Sequence, residues 1–208
     1  PDLQPETSHH FHTALTWSRV TSHNTLWRAG LSAFYNDLSN LIQLVVVDPV
    51  TLFTTYYNIA RFHTAGIQPR VEWRSERFHV ELGSNLTAYP RGQWAWEANL
   101  NTTYKWRGFT VATFFKYNGR LPVFVSQEDG SVALRWIGGF PWLDVSVGRS
   151  FFGGRLHLLA GVRNLFDITQ VQANLAGGVH TGGGANSPVG MGRYTFFRLT
   201  YTLQKGQL

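Results

Sequence analysis

The residues in this chain that could do chemistry are few and widely spaced. Three histidines stand in "SHHFH", where His10 and His12 share one face of an extended chain and His9 lies beside them. Imidazoles at i and i+2 suit a shared metal or a haem iron, so His10 and His12 are the candidate metal ligands, with no third ligand placed by the spacing. A glycine-rich stretch, residues 177–192, surrounds His180 and Met191 and has the flexibility of a lid that closes over a ligand. Without a Walker or Rossmann spacing and a following helix, it is no phosphate cradle. Single cations, Lys105, Arg120, Arg135 and Arg163, together with Arg61, would lend a binding cavity a positive field that attracts anionic cargo. With His180, the first four form the candidate ligand-binding set. Glu72, Glu81 and Glu97 can approach one another from neighbouring segments. No Ser-His-Asp set, catalytic carboxylate pair or His-Glu-x-x-His stretch accompanies them, so the expectation is no enzyme and no cofactor.

What surrounds these residues must explain an unusual composition. Charged residues make up 14% of the 208 and aromatics 15%, whereas a soluble domain is about a quarter charged. Part of the surface therefore meets something other than water. No run of roughly 18 apolar residues occurs, and the longest candidate, "LIQLVVVDPV" at 41–50, meets Asp48 and Pro49, which excludes a transmembrane helix. The net charge of +6 comes from scattered arginines rather than a basic tract, and no RNP-type or helix-turn-helix pattern is present, so nucleic acid is not an expected partner. The absence of cysteine removes disulfides and thiolate metal sites.

Period-two alternation recurs from end to end, and helical spacing is sustained nowhere. The chain reads as all-β, with nine long strands near 10–20, 26–44, 54–74, 78–89, 94–106, 109–120, 142–150, 156–167 and 193–203. Many are twice the usual strand length. Thirteen residues at about 3.3 Å each, tilted by about 40°, rise roughly 30 Å, the thickness of a bilayer's hydrocarbon layer. In "WAWEANLNTTYKW", 94–106, one parity holds Ala98, Leu100 and Thr102 between two aromatic ends. Trp94 and Trp96, then Tyr104 and Trp106, are thus expected to form a lipid-facing aromatic girdle. The other parity holds Glu97, Asn99, Asn101 and Lys105, which suit a watery lumen. Connections alternate between tight turns ("TSHNT", "SERF", "RG", "FFGGR") and longer segments ("VVVDPVTLF", "PRGQ", 121–141, 168–192), the pattern of an antiparallel transmembrane β-barrel meander. A soluble sandwich or lipocalin-like barrel also alternates, but strand length and aromatic ends count against it.

Specific words then carry a family resemblance. "PDLQPETS", "AFYNDLSNLIQ" (33–43), "YNIARFHTAGIQPRVEW" (57–73), "GVRNLFD" (161–167) and "GRYTFFRLTYTL" (192–203) occur in the order and spacing found in TonB-dependent outer-membrane receptors. The chain resembles the C-terminal part of their barrel. That resemblance implies a 22-stranded whole, of which residues 1–208 supply nine strands and no plug domain. It further implies a bacterial outer-membrane location and uptake of a siderophore, haem, cobalamin or glycan, energised by the TonB complex through the plug. The partners it implies are outer-membrane lipid, the remaining barrel and plug, and a surface lipoprotein. Two other readings stay open: a self-contained small outer-membrane barrel acting as a pore or adhesin, and a receptor-derived structural subunit without transport. One departure from the family words is Pro69, where the loss of a ladder donor predicts a β-bulge.

Overall fold

The computed structural model describes residues 3–21, 23–48, 51, 53–127, 129–174 and 185–203. In chain order the strands are β1 (Thr7–Val20), β2 (Leu26–Asp48), β3 (Phe53–Arg74), β4 (Phe78–Tyr89), β5 (Gln93–Trp106), β6 (Phe109–Asn118), β7 (Leu121–Ser126), β8 (Val132–Ile137), β9 (Phe140–Phe151), β10 (Leu156–Arg163), β11 (Gln170–Asn174), β12 (Ala185–Pro188) and β13 (Tyr194–Tyr201). Nine of the described strands form one antiparallel meander in the order β1-β2-β3-β4-β5-β6-β9-β10-β13. Their ends fall within a few residues of those expected from the alternation.

Register sorts the side chains into two faces. Across five strand pairs Ala29, Val71, Leu82, Leu100, Phe115 and Leu143 stand side by side, an apolar row. One residue over, Arg28, Glu72, Glu81, Asn101, Phe114 and Asp144 form a mostly polar row on the opposite face. A period of exactly two residues forces this partition, because a one-residue slip would invert it. Trp94, Trp96 and Trp106 are each about half exposed on the apolar side, so no dry protein interior encloses them.

Aromatic rings mark both edges of the apolar face. Along the rim that carries the tight turns, Trp27 meets Trp73 at 6.0 Å, Trp73 meets Phe78 at 5.8 Å and Phe78 stacks on Tyr104 at 4.4 Å. Toward the opposite rim lie Phe11 with Tyr35 at 6.5 Å and Trp96 with Tyr117 at 5.2 Å. The turn between β5 and β6 has positive φ at Arg107 (47°) and Gly108 (82°), the two-residue type I′ geometry that matches strand twist.

The other rim departs from the expected irregular loops. "PRGQ" is a single 3-10 turn over Pro90–Gly92, and most of "VVVDPVTLF" continues β2 and β3 as one hairpin. Segments 121–141 and 168–192 carry β7, β8, β11 and β12, an arm of the same sheet in the order β12-β11-β8-β7. It joins β2 through a short parallel contact, Val45 beside Phe124 and Val46 beside Val125. These four side chains are buried, and the main dry core of the described residues lies here. Pro69 brings no bulge: β3 keeps one register against β4 on either side of it, and only the pairs at Gln68 and Pro69 drop out. The missing N–H removes a rung without displacing the strand.

Candidate functional site

The polar face of β2, β3 and β4 carries a dense ion-pair network near the turn rim. Glu72 and Glu81 are direct cross-strand partners, a like-charge juxtaposition that is unfavourable by itself. Arginines offset it. Glu72 receives Arg28 at 2.8 Å and Arg74 at 3.0 Å, Glu81 receives Arg70 at 3.3 Å, and His79 Nε2 lies 3.1 Å from Glu72 and 3.3 Å from Glu81. The alternation Arg70, Glu72, Arg74 on β3 puts each arginine diagonally beside a carboxylate. Among the described residues, Glu72, His79 and Glu81 are a group close enough to hold a metal ion. Three arginines already occupy the carboxylates, and their positive charge opposes a cation there. The network is a braced wall. Beside it, Gln68, Arg70, Glu81, Asn85, Glu97, Asn99 and Lys116 line a concavity of about 510 Å³.

A second concavity, of about 620 Å³, lies along β5, β6, β9, β10 and β13, where Arg163 and Arg198 face Asp144, Phe114 and Tyr194. Arg163 donates to the Tyr194 hydroxyl at 3.4 Å and sits 5.5 Å from the Phe196 ring. Phe196 needs Gly161 opposite, since a Cβ there would come within 2.6 Å of its ring. Asn164, fully buried, closes the rim above. Its Nδ2 donates to the carbonyls of Ile168 at 2.9 Å and Met191 at 3.0 Å, while its Oδ1 accepts from the Ile168 N–H at 3.0 Å. Asp144 accepts from the Asn164 N–H, and Asp167 from the Arg193 N–H at 2.7 Å. The word "GVRNLFD" thus clips both ends of the long segment after β10 to the barrel.

The outer-rim arm of the sheet covers the polar face. Phe124 packs edge-on to Phe62 at 5.4 Å, and Trp136 edge-on to Tyr89 at 5.3 Å while donating to Gln93. Phe62, Tyr89 and Gln93 share the parity of Thr64, Thr87 and Ala95, all three buried. The β7–β8 hairpin therefore leans across the polar side of the mouth. In its turn, the Asp129 carboxyl is held below the usual carboxylate range by hydrogen bonds from the Ser131 hydroxyl and amide.

The candidate residues fall in different places. Arg120 anchors the hairpin, its Nε donating to the Trp94 carbonyl at 2.6 Å and its guanidinium lying 4.3 Å over Trp136. Arg135 lies on β8 opposite Val123, and Arg163 lines the second concavity. Lys105 sits at the far end of β5, next to the turn rim, so the structure does not bring it to the other three. Arg61 is on the apolar-face parity, paired with Asp37 at 2.9 Å, and not on the polar face. His10 and His12 stack at 6.1 Å on the polar parity, and His10 Nδ1 is engaged by the Asn36 amide oxygen, which ties it to Thr64 through Asn36 Nδ2. His180 lies outside the described residues. Glu72 and Glu81 come together as expected, whereas the Arg28, Arg70, Arg74 and His79 that join them, and Arg198, were not singled out by residue spacing; the alternating charges of "RVEWRSERFHVE" around a tight turn were the available signal.

No family model matches the chain, and no curated protein matches it. Solved structures do. The pyoverdine outer-membrane receptor FpvA of Pseudomonas aeruginosa superposes with a TM-score of 0.62 at 14% identity, over 97% of this chain and 30% of that one. This chain has the barrel fold of outer-membrane receptors. The FrpB iron transporter of Neisseria meningitidis gives 0.60 at 13% identity over 92% of this chain and 30% of its own, and the copper transporter OprC 0.61 at 16% over 94% and 31%. The chain thus spans about three tenths of the length of these structures and corresponds to a section of barrel wall. The fold expected from the resemblance to TonB-dependent receptors is the fold observed.

Proposed function

We propose that this chain is a wall section of an outer-membrane receptor that imports a scarce nutrient, the rest of the barrel and a plug being supplied by residues outside it. One observation carries the reading: a concave polar face with Arg163 and Arg198 over a concavity, set back to back with an apolar, aromatic-edged face. Lipid accounts for the second face, and a hydrated anionic cargo for the first. The long-range partners follow from this reading: TonB acting on the plug supplies energy, and a surface lipoprotein delivers cargo where the cargo is large. The cargo is a chelated metal, a siderophore or haem, ahead of cobalamin or a glycan, since the similar structures are named for pyoverdine, iron and copper. No catalytic step is assigned.

The experiment is to purify the intact protein from outer membranes and identify what copurifies by mass spectrometry and metal analysis. Uptake of that compound is then measured with and without TonB. An anionic chelate whose uptake needs TonB supports the proposal. Passage that is unsaturable and independent of TonB contradicts it and favours a pore.

A further inference from the structure

The arginines near the turn rim differ in what they meet on its two faces. On the polar face Arg28, Arg70 and Arg74 each pair with a carboxylate. On the apolar side of the turn rim, Arg107 and Arg149 pair with no carboxylate among the described residues, and each lies over aromatic side chains instead. Arg107 sits 5.3 Å from the centre of Trp106, and Arg149 lies 4.6 Å from Phe109 and 5.1 Å from Phe151. Register makes one surface of them: Trp106 is the cross-strand partner of Phe109, and Phe109 of Arg149. Arg107 is fixed beside that row by the type I′ turn. One pleat further up, Val111 and Val147 are also partners and continue the apolar surface. Arg77 and Arg155, both exposed, occupy the turns on either side.

Two uncompensated guanidinium groups on an aromatic floor, at the depth where rings meet lipid headgroups, suit one kind of ligand. Guanidinium binds phosphate through paired N–H donors and stays charged in a half-dry site. We infer that Arg107 and Arg149, over Trp106, Phe109 and Phe151, form a seat for the phosphate headgroup of an anionic phospholipid, its acyl chains running up Val111 and Val147. The inference rests on the membrane placement proposed above and adds a headgroup preference to it. Tight turns face the periplasm in outer-membrane barrels, so the lipid belongs to the periplasmic leaflet.

The test uses the intact protein, expressed into a bacterial outer membrane, extracted in detergent and titrated with phosphatidylglycerol or phosphatidylcholine under native mass spectrometry. The wild type binds phosphatidylglycerol in preference. R107Q/R149Q binds it about 30-fold more weakly, the factor for two arginines at ~1 kcal/mol each, with phosphatidylcholine unchanged. R107K/R149K recovers most of the loss. Heat-modifiable migration on gels verifies folding, and if the double glutamine variant fails to fold, each single variant is expected to lose about fivefold. Equal binding of the two lipids, unchanged binding in the glutamine variants, or displacement by free inorganic phosphate overturns the seat while leaving the membrane placement intact. Binding of neither lipid, with the protein absent from the outer-membrane fraction, overturns both.

Discussion

Replacing Asn164 by alanine removes the clip that holds the outer-rim segment between β10 and β13. Three hydrogen bonds of 2.9–3.0 Å disappear, two given to the carbonyls of Ile168 and Met191 and one accepted from the Ile168 N–H. At ~1 kcal/mol net per bond the loss is about 3 kcal/mol. Backbone conformation adds to it, because Asn164 has φ of 51°, a left-handed setting that costs alanine roughly 1 kcal/mol more than asparagine. Water reaching the freed groups lowers the sum, so the expected cost is about 2–4 kcal/mol, confined to this segment. Hydrogen exchange read by mass spectrometry checks it: the amides of Ile168 and Arg193 lose protection, while β4 to β6 do not. Asn164→Gly separates the two contributions, since it relieves the backbone and still lacks the side chain. It is expected to restore only about 1 kcal/mol. Full protection in the alanine variant, or complete rescue by glycine, would refute the reasoning.

Two further perturbations test other joints. Arg120→Ala loses the bond to the Trp94 carbonyl and the stacking on Trp136, and should loosen the β7–β8 hairpin by about 1 kcal/mol. Limited proteolysis between 121 and 137 should then accelerate about fivefold with the barrel still heat-modifiable. Glu72→Gln leaves Arg28 and Arg74 without their shared anion; because both arginines are half exposed, the expected loss is only about 1 kcal/mol in a urea unfolding midpoint. Most of that loss should vanish when Arg28 is already glutamine.

The nine meander strands were legible because their alternation is long and local: in 94–106 each residue announces its face without reference to any other strand. The arm of the sheet at the outer rim was not. "LPVFVS" and "VALRWI" are short, and β7 finds its neighbour β2 in parallel across a large stretch of sequence, a pairing with no local signal. A similar limit applies to the polar wall. Parity places Glu72 and Glu81 on one face, but only register shows that they stand opposite each other and that Arg28 completes the set. "GVRNLFD" was recognisable as a turn into a loop, whereas the return contact from Asn164 to the Met191 carbonyl depends on how the far end of that loop folds back. Pro69 misled because a lost donor can simply leave one rung unmade.

The central claim is that β5 shows lipid one face and water the other. Residues 1–208 hold no cysteine, so once any cysteine elsewhere in the intact protein is replaced by serine, single cysteines can be placed at each residue from 94 to 106 and spin-labelled in bilayers. The account predicts that labels at 98, 100 and 102 are relaxed by dissolved oxygen, and labels at 99, 101 and 103 by a water-soluble nickel chelate. Labels at 98, 100 and 102 that are immobile and reached by neither reagent would contradict it.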